Sequence, residues 1–341
     1  MVKFPARRSL LTAGTGGSLA AVAAAFLLRG RPGAPGPAPS ATQPAASASG
    51  TGSLRTDLTV HSRLLGRDVP YSLYLPAAVS SVPRRGGQDG GIPVLFLLHG
   101  VSGKHTDWVV KGGIVPTLER AIAAGRIPAC ALVMPDARRD PGKPGGGQDE
   151  TFYINDAGSG TDALRYEDMF IQEFVPTVER AHGLGGRAGN RSVAGLSIGG
   201  YGALWYALRY QGLFCAAAGL STAHFTDEGY RAMPMKEWNR FFGHAFGRDR
   251  AGTARLTERF MSYNLAAVIR RTAPARLRRT RWYLGCGTED ANFLPGTKDL
   301  RTVFAARGVN PEAVLQRGVH GWSYWSVAAE PMLDFLGRQF S

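Results

Sequence analysis

Arg191-Ser192-Val193-Ala194-Gly195-Leu196-Ser197-Ile198-Gly199-Gly200-Tyr201-Gly202 is the stretch on which the reading of this chain turns. Gly195 to Gly199 form a GxSxG pentapeptide. The residues before it read as a strand and those from Gly199 to Tyr210 as a helix, so the chain must turn sharply at the serine. Such a turn holds the serine backbone under strain with its Oγ exposed, and the flanking glycines let helix and strand backbones approach closely. The helix N-terminus also aims free amides at the site, which favours developing negative charge. Ser197 is the expected nucleophile.

A serine hydroxyl attacks only when a neighbouring base takes its proton. On a strand–turn–helix of this kind the acid and then the histidine follow the serine along the chain. Only His224, His244 and His320 lie after Ser197. The first two fall in a long segment between strands. His320 directly follows the strand expected at Ala313–Arg317 and precedes a final helix from Ser323, so it is the expected base. The acid should close the preceding strand, Trp282–Gly285, which runs into Cys286-Gly287-Thr288-Glu289-Asp290. Asp290 is the first choice and Glu289 the alternative, because adjacent side chains point different ways. His99-Gly100-Val101 follows an apolar strand, Pro93–Leu98. The backbone amides of Val101 and of Ile198, the residue after the nucleophile, are the expected oxyanion donors. His99 precedes the serine and reads as a supporting residue. Trp108 and Trp322 are the expected substrate contacts, whereas Trp238, Phe241, Phe242 and Trp325 serve equally well as core.

Outward from this centre, short apolar runs alternate with amphipathic ones. Leu58–Leu65 and Val69–Leu75 read as an antiparallel pair around Gly66, followed by strands at Pro93–Leu98, Ala129–Met134, Ser192–Ala194, Phe214–Gly219, Trp282–Gly285 and Ala313–Arg317. Helices are expected near Ile114–Ala124, Leu164–Ala181, Gly199–Tyr210 and Lys298–Arg307. The fold class is α/β: a mostly parallel central sheet with helices on both faces, whose chemistry gathers at the carboxyl ends of the strands. Residues 54–341 make one domain, and 222–280, too long for a simple crossover, are expected to form a cap.

The 341 residues carry a formal net charge of +14, of which Lys3, Arg7, Arg8, Arg29 and Arg31 supply five with no acid among residues 1–50. The densest later run is Arg270, Arg271, Arg276, Arg278, Arg279 and Arg281. No nucleic-acid-binding signature accompanies it, and it reads as a solvated face, so nucleic acid is not an expected partner. Cys130, Cys215 and Cys286 are widely spaced without a CxxC pair, and the seven histidines show no ligand spacing. No disulfide framework, metal or cofactor is expected. At the N-terminus, Arg7-Arg8 precede an apolar stretch from Leu10 to Leu28. Residues 1–29 resemble a bacterial twin-arginine export signal, or else a membrane anchor, and the Pro/Ala/Ser/Gly-rich residues 30–53 read as a linker. Export to the envelope or beyond is expected.

Leu97-Leu98-His99-Gly100 with Trp108, the block from Gly195 to Ala203, Cys286 to Asp290, and Gly318-Val319-His320-Gly321-Trp322 together resemble the esterase D-like family. That family has the α/β-hydrolase fold and includes tributyrin, feruloyl and acetyl-xylan esterases, S-formylglutathione hydrolases and mycolyltransferases. The resemblance spans residues 55–340. It implies that Ser197, Asp290 and His320 form a triad, that Val101 and Ile198 form the oxyanion hole, and that the substrate is a small or polymer-linked acyl ester. An export signal speaks against a cytosolic S-formylglutathione hydrolase. The mycolyltransferase pattern usually has Asp where this chain has His99, which leaves acyl transfer as the alternative activity. A binding protein with a dead site on the same fold would lack a triad member, and none is missing, whereas a non-catalytic envelope-binding protein using its basic surface is the second alternative.

Overall fold

The computed structural model describes residues 52–80, 91–142, 151–158 and 163–341. The expected export segment lies outside these residues, as does all of the expected linker except Gly52 and Ser53. Among the described residues no helix is long and apolar enough to cross a membrane.

Among the described residues eight strands form one sheet: β1 (Ser53–Ser62), β2 (Arg67–Leu75), β3 (Val94–Leu98), β4 (Ala131–Pro135), β5 (Arg191–Leu196), β6 (Ala216–Leu220), β7 (Arg281–Gly287) and β8 (Glu312–Gln316). Their order across the sheet is β1-β2-β4-β3-β5-β6-β7-β8. The first two pairings, β1 with β2 and β2 with β4, are antiparallel, and every other pairing is parallel. The hairpin turns at Gly66, whose φ of 62° lies in the left-handed region that glycine enters without a Cβ clash.

The principal helices are α1 (Ile114–Ala123), α2 (Val175–His182), α3 (Ile198–Arg209), α4 (Leu294–Ala306) and α5 (Trp322–Gly337). Every residue of β3, β4, β5 and β6 is buried, as a parallel sheet covered on both faces demands. Strand alternation sends Leu95, Leu97, Leu132 and Met134 to one face, where they join Leu118 and Ala121 of α1 and Met332 and Leu333 of α5. Phe96 points to the other face. There it meets Phe170 edge-on at 5.7 Å, and Phe170 stacks on Tyr206 of α3 at 4.7 Å.

Two elements differ from the periodic reading. The stripe from Leu164 to Ala181 is helical but not uniformly α: Tyr166–Asp168 opens into a π-turn, Met169–Phe174, before α2 begins. Pro176 has no amide to give back to the preceding turn, and the wider winding occurs directly before it. Helix α4 starts at Leu294, four residues before the expected Lys298, with Pro295 in its first turn where a missing amide costs nothing.

Between β6 and β7 the chain forms six short α-helices, from Asp227–Ala232 to Pro274–Leu277. They share an aromatic cluster in which Tyr230, Trp238, Phe242 and Phe246 pack around Phe260. Phe152 of the preceding loop joins it, 4.7 Å from Phe242 and 4.9 Å from Tyr201 of α3. The Arg255 guanidinium lies 5.0 Å above the Trp238 ring and donates to the carbonyls of Arg250, Tyr230, Arg231 and Met233, so this buried cation is satisfied by backbone. Burial holds its pKa below the ordinary arginine value.

Candidate active site

Strand β5 ends at Leu196, and the next residue carries the turn. Ser197 has φ 55° and ψ −119°, a conformation that costs a non-glycine residue about 1–3 kcal/mol and persists only where surroundings enforce it. The enforcement is visible in the glycines. A Cβ on Gly195 would come within 2.2 Å of the Gly199 carbonyl, and one on Gly199 within 2.4 Å of the Leu98 carbonyl. The Ser197 amide donates to Leu220 O at 2.9 Å, and its carbonyl accepts from Tyr201 N and Ala223 N.

Three strand ends converge here. Ser197 Oγ lies 3.2 Å from His320 Nε2, and His320 Nδ1 lies 2.8 Å from Asp290 Oδ2. A carboxylate only accepts, so the proton between His320 and Asp290 belongs to Nδ1, leaving the Nε2 lone pair facing the serine hydroxyl. Ser197 and Asp290 are both buried, and the His320 side chain keeps 17% of its surface exposed. The other Asp290 oxygen accepts from Phe293 N at 3.2 Å, which fixes the carboxylate. Phe293 and Trp325 flank the His320 ring, with centroids at 4.6 and 4.8 Å. Trp325 is tied by its Nε1 to Ser221 Oγ at 3.3 Å.

The neighbours of these residues are elsewhere engaged. Glu289 is half exposed and accepts from Arg317 Nε at 2.8 Å. His224 is buried with Nε2 on Asp299, whose carboxyl its partner holds below the usual range. His244 takes Arg248 as a partner on the surface of the helical segment.

The loop after β3 abuts the nucleophile. Gly103 N closes a turn onto Gly100 O at 3.0 Å, with Ser102 at φ 54°. A Cβ on Gly100 would stand 2.6 Å from Leu196 Cδ1 and 3.4 Å from Ser197 Cβ. Val101 is the next residue in this loop, and Ile198 opens α3, where the first amides have no intrahelical acceptor.

Trp108 and Trp322 meet edge-on at 5.5 Å, but only Trp322 has open surface. Trp108 is 1% exposed and donates to Leu98 O at 3.1 Å, so it supports Trp322 from the core and presents almost no surface to a ligand. Trp238, Phe242 and Trp325 are likewise buried. Two residues that pack at the site, Phe293 and Tyr153, carry no sequence signal. Phe293 follows Asp290 by three residues without any motif. Tyr153 lies in a loop, at φ 62°, and donates its hydroxyl to His99 O at 2.9 Å.

Cys130, Cys215 and Cys286 are free thiols. Burial pushes Cys130 up to about 12 and Cys286 up to about 11, which keeps both protonated and unreactive at neutral pH. Among the described residues no three His, Cys, Asp or Glu side chains gather as a metal site.

Known proteins resemble this chain in sequence and in fold. An acetyl esterase of Caldicellulosiruptor saccharolyticus is 22% identical over 249 residues, covering 72% of this chain and 84% of that protein. An endo-1,4-beta-xylanase/feruloyl esterase of Xylanibacter ruminicola is 29% identical over 143 residues, 42% of this chain but only 18% of that much longer protein. The solved structure of a ferulic acid esterase superposes with a TM-score of 0.67 at 24% identity, covering 85% of this chain and 99% of that one, a likeness of fold. The esterase family described as "Putative esterase" matches residues 62–336, and the chain belongs to that family, on an α/β-hydrolase fold.

Proposed function

We propose that the protein is an exported serine carboxylesterase that hydrolyses acyl esters through an acyl-enzyme on Ser197. The observation that carries this reading is the unbroken chain Ser197 Oγ to His320 Nε2 at 3.2 Å and His320 Nδ1 to Asp290 Oδ2 at 2.8 Å, at the mouth of three strand ends. As Oγ bonds to the ester carbonyl carbon, its proton passes to His320 Nε2, and Asp290 stabilises the imidazolium that results. The carbonyl oxygen becomes an oxyanion facing the amides of Val101 and Ile198. Collapse breaks the bond to the alcohol, which leaves with the proton from His320. Water then repeats the sequence on the acyl-enzyme and frees the acid.

Trp322, beside His320 and partly open, is assigned to the acyl or alcohol contact. The helices between Leu220 and Arg281 are assigned as a cap walling the site, a reading supported by Arg240, whose guanidinium donates to Ser102 Oγ at 3.2 Å across the turn that follows β3. Relatives that include acetyl and feruloyl esterases make acetyl and aromatic acyl esters the first substrates to test. Arg7-Arg8 and the apolar run to Leu28 support export. The test is hydrolysis of p-nitrophenyl esters from acetyl to palmitoyl and of methyl ferulate. Turnover by the wild type, lost in Ser197→Ala and His320→Ala, is the expected result. Equal rates in wild type and Ser197→Ala would overturn the proposal.

A further inference from the structure

His99 is a buried titratable group that the triad does not use. It is 1% exposed, sits at the end of β3, and both ring nitrogens are engaged. Ala137 N lies 2.8 Å from Nε2, and an amide can only donate, so Nε2 is an acceptor and the ring proton sits on Nδ1. That proton is directed at Gly100 O, 2.8 Å away. The same carbonyl accepts from Gly103 N at 3.0 Å. The histidine carbonyl is in turn held by the Tyr153 hydroxyl at 2.9 Å, so the ring has little freedom to move.

The Gly100 carbonyl and the Val101 amide belong to one planar trans peptide and point in opposite directions. Two donors that clamp the carbonyl therefore also aim the amide. The flank of Gly100 lies against Leu196 Cδ1 and Ser197 Cβ, so this peptide stands beside the nucleophile. We propose that His99 is a positioning residue: its neutral Nδ1–H tautomer, set by the Ala137 amide, locks the Gly100–Val101 peptide so that Val101 N–H is aimed at the developing oxyanion. The inference rests on the esterase reading given above. It also accounts for the glycine at position 103, where a Cβ would stand 2.8 Å from Gly100 O and 3.0 Å from His99 Nδ1.

Two near-isosteric substitutions separate positioning from packing. His99→Asn sets an amide nitrogen near the Nδ1 position and keeps the donor to Gly100 O. His99→Gln sets an amide oxygen near the Nε2 position, keeping the acceptor for Ala137 N and losing that donor. Each gives up one buried hydrogen bond, so both should melt below the wild type by similar amounts. Losing a whole oxyanion donor costs ~10²–10³ in rate, and a misaimed one should cost about 10–100-fold. We expect that loss in kcat for His99→Gln, with KM within about twofold, and recovery of most of kcat in His99→Asn. Affinity for a trifluoromethyl ketone, whose adduct places an oxyanion in the hole, should fall in parallel with kcat. Should His99→Gln fail to fold, Gly103→Ala, which presses on the same carbonyl, should reproduce the kcat loss. Equal kcat in the Asn and Gln variants, or rates that merely follow the melting temperatures, would overturn the inference while leaving the esterase reading intact. Wild type no faster than Ser197→Ala would remove both together.

Discussion

Asp290 and Glu289 are adjacent carboxylates in opposite surroundings. The Asp290 side chain is fully buried between His320 and the Phe293 amide, while Glu289 points to solvent and Arg317. Asp290→Asn keeps the shape but lets the histidine take the wrong tautomer, and a drop of about 10⁴-fold in kcat is expected. Glu289→Gln should leave kcat within about twofold, so the pair of rates separates them. The sequence brought the acid down to these two residues through its position after β7. It did not choose, because the direction of each side chain depends on the turn that packs beneath Gly318. The sequence singles out Ser197 and His320 for a different reason. The pentapeptide has a mechanical role, and chain order left one histidine next to a strand end. A second consequence at this scale concerns acid. Burial lowers the pKa of His99, so below about pH 6.5 an unfolded chain binds a proton that the folded His99 refuses. Stability contributed by this site is present at neutral pH and is lost as pH falls. His105 is lowered by the same cause and adds to the slope. Melting temperatures between pH 7 and 5 should fall, and less steeply in His99→Asn than in the wild type.

At the scale of elements, the strand–turn–helix around Ser197 stores strain that tight packing of Gly195 and Gly199 enforces. Glycine at position 197 would adopt the same φ of 55° without a Cβ clash. Ser197→Gly should therefore be more stable than Ser197→Ala by about 1 kcal/mol in chemical denaturation, with both expected to be inactive. Equal stabilities would mean that the turn is not strained. Most element identities could be read beforehand because buried strands show continuous apolar runs and α3 and α5 lie next to motifs. What could not be read were winding and register. The π-turn from Met169 to Phe174 preserves the apolar stripe, so periodicity alone cannot distinguish it from α-helix. The helices between Leu220 and Arg281 bury aromatics on several sides around Arg255, a pattern with no single period.

Across the described residues, Ser197, Asp290 and His320 follow the carboxyl ends of β5, β7 and β8, and distant pairs hold the layers that carry them. Arg191 at the start of β5 meets Glu179 of α2 through two contacts of 2.5 and 2.6 Å, both side chains 8% exposed. Removing one partner strands a buried charge, and Glu179→Ala should destabilise the fold by about 3–5 kcal/mol in denaturant titration. A change below 1 kcal/mol would show that the pair is not structural. The arginine run that dominates the charge pattern is spread over the surface of two helices and the start of β7. Arg271 donates to Met261 O, Arg276 to Gln211 Oε1, and Arg270 stands 3.7 Å from Asp299.

The proposed reaction requires that Ser197 become covalently acylated. Full-length protein mixed rapidly with p-nitrophenyl butyrate and quenched in acid should release a burst approaching one equivalent of p-nitrophenol. The peptide containing Ser197 should then carry one butyryl group, with no burst and no adduct in Ser197→Ala. An adduct on another residue, or turnover unchanged by the substitution, would contradict the account.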